Sequence, residues 1–279
     1  MKIRFGLRIK ERLAAVRVRD RVGAARLYAD RHAMATWGGG SGREVGRILC
    51  YHSLGQPMWG VNDVSPQRFH QQIELALAAG YRFVPASEIV KTGGGPRDLS
   101  ITFDDSPLSV LTVAAPILAS YGIPFSLGVV SDWSETGFWG NALTWDQVIE
   151  VAELGGQIDN HSSTHPDFSQ LTKAAAFDEI GGASELIERR TGIATTTFAI
   201  PWGQSGNWPT HADEAARELG YTVLYAQAEG TRPPGTVART FVTKYDSERV
   251  FQALLRGRFD NWEEWTWPSS ATRQKARDE

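Results

Sequence analysis

The sequence predicts an α/β protein: a distorted parallel (β/α)7-type barrel making one main domain, preceded by a basic helical extension. From Arg47 onward, apolar β-rich runs alternate with helical patterns, and such alternation builds βα units on a mostly parallel sheet. Seven or so units follow one another, which suits a closed barrel better than a small open sheet.

The elements follow in order. "RILCY" (47–51) is a short strand. "SPQRFHQQIELALAAG" sets Ser65 as an N-cap, Pro66 at the first helical position and Gly80 as the stop. "YRFVP" and "LSITF" (99–103) are strands, and "SVLTVAAPILASYG" is a helix that Pro116 should kink. "IPFSLGVV" (123–130) is a strand, "TWDQVIEVAELGG" a helix, "QID" a short strand and "LTKAAAFDEIGGASELIERRTG" a long helix. "TTTFAI" (195–200) and "YTVLYA" are strands flanking the helix "PTHADEAARELG"; "TVARTFV" and "DSERVFQALLRG" close the series. The predicted segments are therefore a basic extension over 1–35, a Gly-rich linker over 36–46, the main domain over 47–260 and a tail over 261–279.

At 279 residues the chain can bury a substantial core. A formal net charge of −3 gives the body of the protein no reason to bind nucleic acid. The single cysteine, Cys50, excludes an intrachain disulfide and a cysteine-based zinc cluster, so any metal site must use histidine and carboxylates. Among the ten tryptophans, Trp59, Trp133, Trp139 and Trp202 fall in loops, where they suit both core packing and a sugar-binding cleft.

Membrane and export signals are weak. No run of about 18 apolar residues is present. Charges interrupt the N-terminus throughout, unlike a secretory signal, so a cytoplasmic location is expected. Residues 1–32 carry ten Lys/Arg against three acidic residues. Ile9, Leu13 and Val16 could share a helix face, with Arg8, Arg12 and Arg19 largely off it. That is either a solvated basic helix or a peripheral contact with an anionic membrane surface.

Polar residues gather just past the strands, where barrel sites lie. Asp104 and Asp105 follow strand 99–103 directly, and two adjacent acids there are costly unless paired or metal-bound. His161 follows the strand "QID", and His165 stands four residues on, the spacing that puts two imidazoles on one helix face. His52 follows strand 47–51, and Pro201–Trp202–Gly203 follows strand 195–200. Each element alone is commonplace: paired acids cap helices, and isolated histidines hydrogen-bond near cores. Their combination at successive strand ends is the specific signal.

The runs "TFDDS", "HSSTHPDFSQLT" and "FAIPWG" resemble the polysaccharide deacetylases of carbohydrate esterase family four, the NodB homology domain. The resemblance covers roughly residues 47–245; the second motif matches in full, and the first differs only by Ser106 in place of glycine. It implies a metal-dependent hydrolase that removes N-acetyl groups from an N-acetylated amino sugar: a polysaccharide, an oligosaccharide, or a lipid- or nucleotide-linked sugar. Asp105, His161 and His165 would bind the divalent metal, zinc first, with Co2+ or Ni2+ admissible. Asp104 would be the general base, and the backbone N–H of Trp202 would contact the oxyanion. Such a division suits the chemistry, because amide hydrolysis needs an activated nucleophile, a stabilised oxyanion and a protonated leaving amine.

Two departures stand out. Most members carry the general acid as a late histidine, yet no histidine follows His211 here. "ILCYHSLG" resembles a permuted subset in which that histidine comes first, which makes His52 the acid. Ala199 stands where arginine often orients the base, leaving the partner of Asp104 open; Asp63 and Asp132 are candidate supporting acids or substrate contacts. A glycoside hydrolase using Asp104 and Asp105 fares badly, since its carboxyls need roughly 5–10 Å of separation across a sugar. The remaining alternative is a catalytically degenerate carbohydrate-binding protein of the same fold.

Overall fold

The computed structural model describes residues 22–40, 42, 44–227 and 231–265. In chain order the strands are β1 (Arg47–Tyr51), β2 (Ser53–Leu54), β3 (Asp63–Val64), β4 (Arg82–Phe83), β5 (Asp98–Phe103) and β6 (Phe125–Val129). Then come β7 (Gly156–Asn160), β8 (Thr197–Ala199), β9 (Val223–Ala226), β10 (Val237–Ala238) and β11 (Thr240–Phe241). The helices are α1 (22–37), α2 (Pro66–Ala78), α3 (Ala86–Thr92), α4 (Ala115–Tyr121) and α5 (Ser131–Thr136). They continue with α6 (Trp145–Glu153), α7 (Lys173–Thr191), α8 (Thr210–Glu218) and α9 (Glu248–Leu255).

Strands β9, β8, β7, β6, β5 and β1 lie side by side in that order, all parallel. The ring closes through one kinked segment. β10 pairs with β9 and β11 with β1, and Arg239 alone separates them. The fold is thus the distorted parallel barrel of seven strand positions that the alternation predicts. β4 pairs with the first two residues of β5, before β6 takes over at Ile101.

Outward side chains make two apolar layers. Leu49, Tyr51, Ile101, Phe103, Leu127 and Val129 belong to the larger, with Phe69 and Ile73 of α2 and Phe251 and Leu254 of α9. Phe198, Ile200 and Leu224 belong to the smaller, with Ile180 of α7 and Ala212 and Ala216 of α8. Branched apolar side chains usually fill a parallel barrel. Here Ser100, Thr102, Ser126, Asp159 and Thr197 are buried on its strands, and Arg239 is buried at the kink between β10 and β11. Buried polar groups need partners, and those of this column lead upward to the site.

Local chemistry explains most element boundaries. Ser65 Oγ accepts from Arg68 N at the start of α2, Thr144 and Gln147 form a capping box on α6, and Thr172 and Ser247 cap α7 and α9. Pro116 leaves the chain helical: a π turn over Val110–Ala114 precedes α4, so the proline falls in that helix's first turn, where no N–H is required. α1 extends through residue 37 into the stretch read as linker. Its Arg31 is fully buried, ion-paired with Asp246 and seated over the rings of Phe241 and Phe259 at 4.7 and 4.6 Å. The apolar face Ile9–Leu13–Val16 and the tail beyond residue 265 lie outside the described residues. Among the described residues, no helix is long and apolar enough to cross a membrane.

Candidate active site

Four strand ends converge on one cleft of about 530 Å³. His52 follows β1, Asp104 and Asp105 follow β5, His161 follows β7, and Trp202 lies beyond β8; all five residues line the cleft. Asp105 Oδ1 stands 3.3 Å from His161 Nε2 and 3.3 Å from His165 Nε2. His52 Nε2 lies 4.0 Å from Asp105 Oδ2, and His161 Nε2 lies 3.9 Å from Asp104 Oδ2. The structure therefore brings together every residue that the sequence placed at the centre. Asp63 and Asp132 do not join it. The Asp63 carboxylate accepts from Ser53 Oγ and Gln56 N and braces its own loop, and Asp132 is exposed at the start of α5.

The two histidines do not sit on a helix, as their four-residue spacing suggested. Residues 161–167 form an irregular loop, with Ser162 at φ 71° and His165 at φ 60°. Asn160 Oδ1 accepts from Ser162 N, and Ser162 Oγ accepts from His165 N, so side-chain bonds hold the loop in place of a helical ladder. Asp105, Ser106 and Trp202 also have positive φ, at 74°, 49° and 65°. Non-glycine residues rarely adopt this region, and clustering at one cleft is the pattern of strain held where side chains must be aimed. Ser106 shows how it is held: its hydroxyl accepts from Val130 N at 2.9 Å, a bond that glycine could not make. Two glycines leave the room required. A Cβ on Gly128 would press on Asp104 Oδ1 and the His161 ring, and one on Gly203 would meet Gln227 Cγ at 2.3 Å.

The donor set at the centre could hold a cation. His161 Nδ1 lies 2.8 Å from the Ala199 carbonyl, which fixes the Nδ1–H tautomer and leaves the Nε2 lone pair facing Asp105. Asp105 Oδ1 is buried without a hydrogen-bond partner. Single donor atoms of Asp105, His161 and His165 all fall within 4.8 Å of one another. Burial works against a charge on His161, but Asp104 and then Asp105 outweigh it and raise its pKa. His165, where burial dominates, drops to about 4 and stays neutral, as a metal ligand must. Carboxylate and imidazole donors suit zinc and its neighbours.

Arg239 is the residue that sequence reasoning missed. It stands at the kink between β10 and β11, only 2% exposed, and its two terminal nitrogens donate to both oxygens of Asp104 at 2.7 and 2.6 Å. One of them also donates to Thr102 Oγ1. Burial pushes the Asp104 carboxyl up, but Arg239 and then His161 outweigh it and hold the pKa well below the usual carboxylate range. The arginine absent at Ala199 is thus supplied from another strand. "TVARTFV" gives one cue, a cation inside an otherwise apolar strand, but nothing in it names the partner.

Aromatic rings continue the site outward. His165 stacks on Trp133, Trp133 on Phe138 and Phe138 on Trp139, with centroids 5.4, 4.5 and 5.1 Å apart. Trp139 is 85% exposed, and Phe138 and Trp139 both have positive φ, so a strained turn displays the outermost ring to solvent. Trp202 is 56% exposed and packs 5.5 Å from His165. Its backbone N–H has no backbone partner among the described residues, as an oxyanion donor requires.

Comparison with known proteins agrees with the geometry. Residues 91–224 match the family model described as polysaccharide deacetylase. A Bacillus subtilis (strain 168) protein, YxkH, described provisionally as a polysaccharide deacetylase, is 25% identical over 197 residues, 69% of this chain and 66% of its own. A bifunctional xylanase/xylan deacetylase of Cellvibrio japonicus is 28% identical over 128 residues; the match spans 45% of this chain and only 18% of that protein. In fold, the chain is similar to the Streptococcus pyogenes deacetylase PplD solved with acetate, with TM-score 0.66 and 23% identity over 76% of this chain and 97% of that one. IcaB from Ammonifex degensii gives TM-score 0.64 at 22% identity over 77% and 97%.

Proposed function

With residues 91–224 matching the polysaccharide deacetylase family model, we propose that this chain is a member of that family and a metal-dependent hydrolase that removes N-acetyl groups from an N-acetylated amino sugar. The observation that carries this reading is the orphaned, buried Asp105 Oδ1 lying 3.3 Å from two imidazole nitrogens beside a second, ionised carboxylate. Asp105, His161 and His165 would hold the metal, zinc first and Co2+ or Ni2+ otherwise. Such an ion supplies Lewis acidity and lowers the pKa of a bound water to about 7.

The chain's own groups do the rest. Asp104, kept ionised by Arg239, accepts a proton from the attacking water. His52, whose Nε2 lies 4.0 Å from Asp105 Oδ2, delivers a proton to the leaving amine, which cannot depart as an anion. The Trp202 N–H steadies the developing oxyanion. Trp133, Phe138 and Trp139 offer flat apolar faces that suit the faces of sugar rings. The basic stretch 1–32 suits a lipid-linked acetamido sugar at an anionic membrane surface on the cytoplasmic side.

Acetate release from N-acetylglucosamine oligomers by zinc-loaded protein tests the proposal. Activity should fall by about a thousandfold or more in Asp104→Asn, which removes the general base. Undiminished release in that variant would refute the assignment.

A further inference from the structure

We propose that Cys50, His52 and Asp104 form a second metal site, suited to a borderline or soft divalent cation such as Zn2+, whose occupation shuts the reaction down. The inhibitory consequence rests on the roles proposed above for Asp104 and His52; the binding of the cation does not. One donor atom from each of the three residues lies within 4.8 Å of the other two. Cys50 Sγ stands 3.4 Å from Asp104 Oδ2. A tetrahedral zinc ion with sulfur at about 2.3 Å and oxygen or nitrogen at about 2.0 Å holds its donors roughly 3.3–3.6 Å apart. Cys50 and Asp104 already have that spacing, and the His52 donor lies within 4.8 Å of both.

His52 points to a ligand independently. Its Nδ1 is buried and has no hydrogen-bond partner. His161, by contrast, has its Nδ1 fixed by a backbone carbonyl. Asp104 can serve although Arg239 holds both its oxygens, because each carboxylate oxygen has a second lone pair. Burial raises the Cys50 thiol pKa, with Arg239 opposing, so the sulfur keeps its proton until a cation arrives. On binding, the S–H bond breaks, a metal–sulfur bond forms and the proton leaves to solvent. The thiolate donor then favours Zn2+ or Cd2+ over Mg2+ or Ca2+. A cation there takes the carboxylate and the imidazole that the reaction needs as base and acid, so zinc in excess would inhibit.

The test uses the full chain, stripped of metal by chelation and titrated with Co2+. Wild type should bind two equivalents, with thiolate-to-cobalt charge-transfer absorption tracking one of them. Cys50→Ser and Cys50→Ala should bind one equivalent and lack that absorption, with far-ultraviolet circular dichroism confirming that each is folded. His165→Ala should keep it. A single equivalent in wild type, or a second equivalent indifferent to both Cys50 substitutions, overturns the proposal regardless of turnover. In the activity arm, excess zinc should cut wild-type acetate release by about tenfold. Each Cys50 variant should hold the rate it has at one equivalent. Equal zinc inhibition with and without the thiol overturns the inhibitory role. Two equivalents with the thiolate band, but no acetate release by any form, would uphold the site and count against the deacetylase reading instead.

Discussion

Replacing Arg239 by methionine gives the sharpest test of how the base is kept charged. The side chain is buried and its guanidinium grips both oxygens of Asp104. The same barrel interior contains a control. Asp159 is buried without such a fork, and its pKa, pushed up chiefly by burial, reaches about 7. Without Arg239, Asp104 should titrate in a similar range. A carboxyl that titrates near 7 when folded and near 3.9 when unfolded costs the folded state about 4 kcal/mol once the pH exceeds 7. That agrees with the roughly 3–5 kcal/mol expected for breaking a buried ion pair. The direction with pH is set by which state binds more protons. In wild type the folded pKa is depressed, so the stabilisation is present above the unfolded value near 3.9 and is lost only in strong acid. In Arg239→Met the folded pKa is raised, so the penalty is absent below about 4, grows between about 4 and 7, and is complete above that. Urea denaturation at pH 5 and pH 8 reads this directly: the gap between wild type and variant should widen by about 2 kcal/mol or more. The acid limb of kcat/KM should move up in parallel, and Arg239→Lys, with its charge but without the fork, should restore part of both. A pH-independent stability gap together with an unmoved acid limb would refute this account of the base.

Other perturbations have equally definite outcomes. Ser106→Ala keeps the positive φ and leaves Val130 N–H without its acceptor, so it should destabilise by about 1–3 kcal/mol, whereas Ser106→Gly relieves the strain and should cost less; equal losses in thermal melts would contradict this. Arg31→Ala leaves Asp246 buried without its counter-charge and should cost about 3–5 kcal/mol in urea denaturation; a loss under about 1 kcal/mol would mean that α1 contributes little. Trp139→Ala removes an exposed ring, so it should raise KM for an oligosaccharide severalfold while leaving the melting temperature within a degree or so; an unchanged KM would exclude the ring from substrate contact. In a Cys50→Ser background, where one site is expected, zinc at about 100 times its dissociation constant should stabilise the chelator-stripped protein by about 2.7 kcal/mol, and adding His165→Ala should largely abolish that gain in thermal shift.

The barrel was legible because periodicity and punctuation agree with the packing. Strands near five residues long, caps at Ser65, Thr144, Thr172 and Ser247, and stops at Gly80 and Gly192 all follow from local chemistry. Short edge pairings such as β2 with β3, and the brief helices α3 and α5, carry too little pattern to be read in advance. At the site, residue types at strand ends pointed to Asp104, Asp105, His161 and His52, since strand direction alone sends them to one rim. Spacing alone does not fix the geometry of the histidine pair, because four residues separate side chains both on a helix and in a loop whose φ values turn positive. The partner of Asp104 was unreadable for a different reason: 135 residues separate it from Arg239, and only closure of the ring between β9 and β1 makes them neighbours.

That closure also bears on why a cation would sit at Asp105 rather than at Asp104 under the proposed function. Below the rim, Arg239 neutralises Asp104, so the pair adds no net charge to the barrel interior. Asp105 has no such partner; its surroundings supply only imidazoles, and its Oδ1 is left without a hydrogen bond. One negative charge is therefore uncompensated, buried and faced by two nitrogen lone pairs. Without a metal, the site answers by drawing a proton toward His161, whose pKa the two carboxylates raise against its burial. Asp105, His161 and His165 would meet the same demand more completely by holding a divalent ion, since binding one requires both imidazoles to be neutral. Moving the arginine from Asp104 to Asp105 would reverse the arrangement, filling the cation's place and leaving the base protonated near neutrality. The order of charges up the barrel, guanidinium, then paired carboxylate, then open carboxylate, thus sets where a metal would bind and keeps the carboxylate proposed as base ionised beside it.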